Sequence, residues 1–225
     1  MTAPDPRALP DPSGLVVAVL GGTGEQGRGL ARRFALAGIR VVLGSRDAAR
    51  AQAAAEGLPG DVSGADNAGA ARAGDVVIVA VPWDGHRELL VSLADDLRGK
   101  VVVDCVNPLG FDEQGAYPLP VEEGSAAQQA QAVLPGSRVV AAFHHVSAVL
   151  LLDESVDEVD TDVMVLGDDR EATDLVQALA GLVPGMRGVY AGRLRNASQV
   201  EALTANLISV NRRYKAHAGL RVTDV

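Results

Sequence analysis

At 225 residues with 48% apolar content, the chain is long enough to bury a full core, as one large domain or one domain with a short appendage. Its 20 basic and 29 acidic residues leave a net charge of −9, which argues against nucleic acid and anionic membranes as general partners. No run approaches the roughly 20 consecutive apolar residues of a membrane-spanning helix, and one cysteine, Cys105, with four scattered histidines, excludes an internal disulfide and gives no metal-ligand spacing.

The start, "MTAPDPRALPDPSG", lacks a charged-then-apolar signal pattern, so residues 1–14 are expected to be a disordered extension of a soluble, cytoplasmic protein. Short β-branched runs then alternate with alanine-rich helical stretches. The runs are Leu15–Leu20, Ile39–Gly44, Asp75–Val81, Lys100–Val106, Arg138–Phe143 and Asp162–Gly167. Continuous Val/Ile runs without polar alternation suit strands covered on both faces, as in a parallel sheet between helix layers. The expected class is therefore α/β, a doubly wound, Rossmann-type parallel sheet. The alanine-rich Ala48–Ala55 reads as plain helix.

Two segments interrupt the alternation. Asn107–Gly124 is rich in Pro and Gly and too long for a plain connector, so it reads as a functional loop at a strand end. From about Arg195 to His217, Val200, Leu203, Leu207, Ile208 and Val210 recur near helical period, which predicts a C-terminal helix that docks on the domain or on a second subunit. The charge is uneven as well: residues 186–225 carry seven basic side chains against Glu201 and Asp224, while Asp153–Asp174 holds ten acids opposed by Arg170 alone. The basic tail suits either an anionic ligand or a solvated helix face, and the acidic stretch reads as exposed surface.

Between the first run and its helix lies "GGTGEQG", in which Gly22, Gly24 and Gly27 form the pattern GxGxxG. Gly22 is expected to allow the tight turn, Gly24 the approach of a pyrophosphate, and Gly27 the close packing of helix on strand. The helix start then offers free N–H groups and a positive dipole to phosphates. The tip of the second strand carries Ser45 and Arg46, with Arg50 one helical turn on, where an NAD site usually places an acid. A hydroxyl and two guanidinium groups suit a 2′-phosphate, so NADP(H) is preferred over NAD(H), and Asp47 is expected to cap the next helix. After the third and fourth runs, Val81-Pro82-Trp83 and Asn107-Pro108 fall where a nicotinamide ribose and ring would extend. For Trp83, an indole in the core and one touching the cofactor both remain open.

With these pieces in order, the sequence resembles the NADPH-dependent reductases of the deazaflavin coenzyme F420. The resemblance runs through "LGGTGEQGRGLA", "GSR" with a basic residue four positions beyond the arginine, "VPW", "VVAAFHHVSA" and "EALTANLISVN…AGLRV". It implies an NADP-binding domain over residues 15–143 and a short C-terminal part, residues 144–225, that forms the deazaflavin pocket and a homodimer contact. It assigns Thr23, Gly24, Glu25 and Gln26 to the NADP phosphates, Ser45, Arg46 and Arg50 to the 2′-phosphate, and Trp83, Arg87, Asn107 and Pro108 to the nicotinamide half. It places His144 beside the deazaflavin, with Val146 and Ala148 lining its pocket and the Ala218 backbone touching the same coenzyme. The chain departs from the family pattern at His145 and Ser147. If His144 and His145 are extended neighbours, their side chains point to opposite faces and only one reaches a ligand.

The implied reaction is direct hydride transfer between NADPH and F420, with small-molecule partners only. Such chemistry asks for placement more than for an acid or base, so no essential catalytic group is expected and His144 reads as a positioning residue. Another NADP-dependent reductase is the first alternative, but such relatives place their substrate site on a helical second domain of about 100 residues or more. A non-catalytic NADPH sensor is the second alternative.

Overall fold

The computed structural model describes residues 8–225; residues 1–7 of the expected extension lie outside that range. In chain order the elements are β1 (Val16–Leu20), α1 (Glu25–Leu36), β2 (Arg40–Ser45), α2 (Ala48–Glu56), β3 (Val62–Asp66), α3 (Asn67–Ala73), β4 (Val76–Val79), α4 (His86–Ser92) and β5 (Val101–Asp104). They continue with the hairpin β6 (Leu109–Asp112) and β7 (Gly115–Pro118), then α5 (Ala126–Val133), β8 (Arg138–Ala141), α6 (Ala148–Leu152), β9 (Thr161–Gly167), α7 (Arg170–Gly181), β10 (Met186–Gly192) and α8 (Ala197–Tyr214).

Eight strands form one sheet in the order β10-β9-β8-β5-β4-β1-β2-β3. Pairing is parallel except between β8 and β9, so the last two strands run opposite to the rest. This differs from the all-parallel expectation and leaves a mostly parallel, doubly wound sheet. The expected boundary after residue 143 falls just past β8, and β9 and β10 beyond it extend the same sheet.

The Val/Ile runs behave as their composition dictates. Val17, Val19, Val41, Ile78 and Val103 face one helix layer, where Leu30, Phe34, Leu151 and Leu179 cover them. Ala18, Val77, Val102 and Val139 face the other layer and meet Ala70, Leu90, Ala130 and Val200. Each such Val or Leu contributes roughly 1.5–3 kcal/mol by burial. Alanines make up much of the layer formed by α3 and α5, which lets those helices lie close to the sheet.

Four strands, β3, β6, β7 and β10, carry no run that the sequence announces. β3 and β10 are the sheet edges, where alternating exposure removes the need for continuous β-branched residues: β3 reads VSGAD and β10 reads MRGVYAG. The segment Asn107–Gly124 contains the antiparallel hairpin β6–β7, closed by Asp112 Oδ1 accepting the Gln114 and Gly115 N–H groups, with Gly115 at φ +124°. The run from Asp75 stops at Val79, three residues before Pro82. The run from Arg138 stops at Ala141, because Phe143 adopts a left-handed conformation with φ +63° and turns the chain.

Two buried charges lock the C-terminal half to the rest. Arg33 of α1 is buried; its Nε donates to Leu151 O at 2.9 Å and its Nη2 to Leu150 O at 2.6 Å, at the end of α6. Asp162, expected on an exposed acidic surface, is instead fully buried on β9. It accepts from Arg187, Arg221 and the Val222 N–H, so part of the basic tail serves to clamp the C-terminal segment on the sheet. Those contacts hold its carboxyl well below the usual carboxylate range, the Arg187 hydrogen bonds most of all. Arg33→Met is expected to strand the α6 carbonyls and cost about 2–3 kcal/mol in urea unfolding; a change under about 0.5 kcal/mol would refute the latch.

Candidate active site

The loop between β1 and α1 shows why glycine is required there, and where. Gly21, not Gly22, makes the left-handed turn, with φ +76°. A Cβ on Gly21 would stand 2.4 Å from Ala80 O, so this turn abuts the exit of β4. Gly22 is needed for packing instead, since its Cβ would meet Leu43 at 2.8 Å, and Gly27 because its Cβ would meet Gly21 O at 2.6 Å. Gly24 is the N-cap of α1 with no side-chain cap, and its own N–H is taken by Gly21 O. The first N–H groups of α1, at Glu25, Gln26 and Gly27, are therefore left for an anion.

A pocket of about 430 Å³ runs from this turn past the tip of β2 and is lined by Thr23, Gly24, Ser45, Arg46, Arg50 and Val81, among others. Ser45 is buried at the strand tip and accepts the Asp47 N–H. Asp47 caps α2 through the Ala49 and Arg50 N–H groups, as its position suggests. Arg46 and Arg50 are exposed and make no ion pair among the described residues. Asn67, at the tip of the unannounced β3, lines the same pocket with a buried Oδ1 that has no partner.

The pocket continues over Val81 and Pro82 into a second cleft of about 770 Å³ at the carboxyl ends of β4, β5 and β8. Glu25, Gln26, Trp83, Asn107, His144 and Thr204 are among its walls. Gln26 Nε2 donates to Phe143 O at 3.3 Å, joining the phosphate loop to the turn that carries His144. The His144 carbonyl accepts from Asn107 Nδ2 at 2.8 Å and from Thr204 Oγ1 of α8 at 3.3 Å, so two distant chain segments fix it. Its imidazole is buried, yet neither ring nitrogen has a partner. Burial pulls this imidazole down to about 4, outweighing the nearby Asp104 charge, so the ring is neutral at physiological pH. A neutral, unsatisfied donor–acceptor facing a cleft is the chemistry of a ligand contact.

The comparisons with known proteins agree with one another. The family model described as NADP oxidoreductase, coenzyme F420-dependent, matches residues 16–108. The F420-dependent NADP reductase of Methanothermobacter thermautotrophicus is 40% identical over 221 residues, covering 93% of this chain and 95% of that protein. The chain belongs to this family. The F420-dependent NADP reductase of Methanocaldococcus jannaschii is 36% identical over the same share of this chain. Among solved structures, a candidate F420-dependent NADP reductase from Arthrobacter sp. FB24 superposes with a TM-score of 0.79 at 27% identity, over 93% of this chain and 100% of that one. An imine reductase from Bacillus cereus shares the fold, with a TM-score of 0.62 at 18% identity, but this chain spans only 63% of it.

In this F420-dependent reductase the remaining residues of interest sit around the clefts rather than in them. Arg87 is exposed and paired with Glu123, and Pro108 lines a neighbouring pocket against Glu201. Val146 is packed in the core, and Ala148 is half-buried at the start of α6. The half-buried Ala218 donates its N–H to Asn211 Oδ1. Both neighbouring histidines are buried, and they lie in a turn rather than the extended segment considered from the sequence; His145 nevertheless points elsewhere, its Nε2 accepting the Met164 N–H. Gly21, Asn67 and Thr204 are cleft residues that the sequence reading passed over. Gly21 alone had a signal, being the extra glycine before the pattern.

The two histidines have a measurable consequence. Burial lowers both to about 4 from the usual 6.5. Between those values the unfolded chain binds protons that the folded chain does not, so stability should fall as pH drops from about 6.5 to about 4. Thermal unfolding across that window is expected to show a smaller acid loss in His144→Gln than in the wild type; identical slopes would contradict the assignment.

Proposed function

We propose that this protein transfers a hydride directly and reversibly between NADP(H) and the deazaflavin coenzyme F420, with the cleft holding the two rings against each other. The observation that carries this reading is the continuous cleft itself, with unpaired guanidinium groups at one end and an orphaned neutral imidazole at the other. The residues present fit both coenzymes: a glycine cradle that a Cβ would fill, uncapped N–H groups, and unsatisfied buried polar atoms.

Thr23, Gly24, Glu25 and Gln26 would bind the NADP phosphates at the start of α1, helped by the helix dipole. Ser45, Arg46 and Arg50 would hold the 2′-phosphate through charge-assisted hydrogen bonds. Val81, Trp83 and Asn107 would shape the nicotinamide half, with Arg87 and Pro108 supporting their loops. His144 would wall the deazaflavin side and hydrogen-bond to it, with Val146, Ala148 and the Ala218 backbone completing that pocket. When bound, the deazaflavin supplies a carbon that accepts a hydride where a flavin has a nitrogen. The chain's own contribution is to orient two planar groups at near-attack distance and to keep water from between them, while the proton that the reduced deazaflavin takes up would come from solvent at its exposed edge, so no side chain need carry it.

On this reading residues 15–143 serve the dinucleotide and residues 144–225 the deazaflavin and a homodimer contact. The exposed Val210 and Tyr214 on α8 support such a contact. A cytoplasmic location accords with the described residues, in which no helix is long and apolar enough to cross a membrane. The alternative of an imine-type reductase is disfavoured by the relatives themselves, since those named F420-dependent NADP reductase are 36% and 40% identical and the imine reductase only 18%. A sensor would not need an orphaned imidazole beside the ring site.

A spectrophotometric assay tests the proposal. Loss of the deazaflavin absorbance is expected with NADPH and at least about tenfold less readily with NADH, in line with charge-assisted bonds worth about 1.5–3 kcal/mol each. Arg46→Gln with Arg50→Gln should erase most of that preference while leaving kcat little changed. Turnover with neither nucleotide would overturn the function, and an unaltered preference in the double variant would overturn the role of the two arginines. His144→Ala should lower kcat/KM for F420 by roughly tenfold without abolishing turnover.

A further inference from the structure

Behind the cleft wall runs a buried polar chain that the phosphate loop and His144 do not use. Asp104 ends β5 and His86 begins α4, and both are fully buried. His86 Nε2 stands 2.6 Å from Asp104 Oδ2, and His86 Nδ1 stands 3.1 Å from Gln129 Oε1 on α5. The Gln129 amide is oriented by donating its Nε2 hydrogen to Glu123, whose other oxygen pairs with Arg87. Gln129 Oε1 is therefore the acceptor, and His86 Nδ1 must carry a proton to meet it. A carboxylate facing the other ring nitrogen then requires a second proton between His86 and Asp104. The pair is proton-bound, with Glu201 of α8 the other buried acid near it, held by the Ala126 and Ala127 N–H groups.

This pair touches both loops of the nicotinamide half. His86 lies against Trp83, ring centroids 5.5 Å apart at 31°, the arrangement in which a cationic imidazole is attracted to an indole face. The Trp83 carbonyl accepts the His86 N–H across the turn at Gly85, whose φ of +89° closes it. Asp104 Oδ1 accepts the Val106 N–H at 3.0 Å, one residue before Asn107. Trp83, Val106 and Asn107 all line the cleft.

We propose that the His86–Asp104 pair is a positioning element for hydride transfer, holding Trp83 and the Val106–Asn107 turn together as one wall of the nicotinamide half. The reaction it serves rests on the function proposed above; the wall rests on geometry alone. Burial by itself would push the imidazole down, but the Asp104 charge and the hydrogen bonds from Asp104 and Gln129 outweigh it and raise it overall. The proton therefore leaves only as pH rises above the ordinary histidine range. His144 and His145, drawn down to about 4, stay neutral in that window.

Trp83 is the chain's single tryptophan, so its emission reports the pair without any coenzyme present. A protonated imidazole quenches a neighbouring indole. Wild-type emission is expected to rise as pH climbs above the ordinary histidine range, the rise being absent in His86→Gln and moved to lower pH in Asp104→Asn. In the coenzyme assay Asp104→Asn should lower kcat about tenfold or more, with KM for NADPH changed by less than about threefold, because the phosphate grip lies elsewhere. A flat wild-type emission, the same step in His86→Gln, or a folded Asp104→Asn with unchanged kcat would each overturn the proposal. If Asp104→Asn does not fold, His86→Gln supplies the kinetic arm, and if neither folds the wild-type emission decides. Failure of the wild type to turn over F420 would sink the functional reading while the emission step still judged the pair.

Discussion

The close approach of Gly21 to the carbonyl of Ala80 is the constraint on which the site depends. It presses the turn after β1 against the chain leaving β4, with no room for a side chain between them. Because β1 and β4 are hydrogen-bonded neighbours in parallel register, the phosphate loop and the Val81–Trp83 loop open on the same edge of the sheet. One continuous cleft results where two separate strand-end loops would otherwise stand apart, which is the usual place for a ligand in an open α/β sheet. The Gln26 contact with Phe143 O then fastens the β8 exit, and with it His144, to the same loop.

The buried polar groups divide according to whether a protein partner satisfies them. Away from the cleft the buried charges are saturated: Arg33 by the carbonyls of α6, Asp162 by two arginines and a backbone N–H, Glu201 by the start of α5. Buried groups that are charged persist only when so paired, and removing one partner costs several kcal/mol in typical cases. At the cleft Asn67 Oδ1 and both His144 ring nitrogens are left unsatisfied, as are Arg28 Nε, Arg32 Nη1 and His145 Nδ1, which do not line it. An imidazole hidden from solvent and deprived of hydrogen bonds is an expense to the fold unless a ligand supplies them.

Much of this was legible in the chain. The Val/Ile runs gave six of the strands because central strands must be apolar on both faces, and Ser45, Arg46 and Arg50 fell at the β2 tip by simple counting from the glycines. β3 and β10 escaped notice because an edge strand does not need that composition, and Asn67 was hidden with β3. The left-handed turn belonged to Gly21 because only the tertiary contact with β4 distinguishes it from Gly22. His86 and Asp104 are 18 residues apart and carry no motif; the pairing of β4 with β5 and the turn from β4 into α4 bring them together.

Charge distribution, rather than total charge, reconciles an acidic protein with anionic coenzymes. At physiological ionic strength exposed charges are screened beyond about 8 Å, so a net charge of −9 spread over the surface says little about any one cleft. The acids concentrated between Asp153 and Asp174 are partly consumed internally, since Asp160, Asp162 and Asp168 face Arg221, Arg187 and Arg193. Arg46 and Arg50, in contrast, meet no carboxylate among the described residues. Asp47, between them in sequence, is committed to capping α2, and Asp84 lines the same pocket, so their field is only partly offset at the mouth where a phosphorylated ribose would enter. Arg212, Arg213 and Lys215, at the end of the helix that lines the opposite side, are likewise unpaired among the described residues. The fold thus pairs the arginines that clamp its C-terminal segment and leaves Arg46 and Arg50 without an ion pair among the described residues.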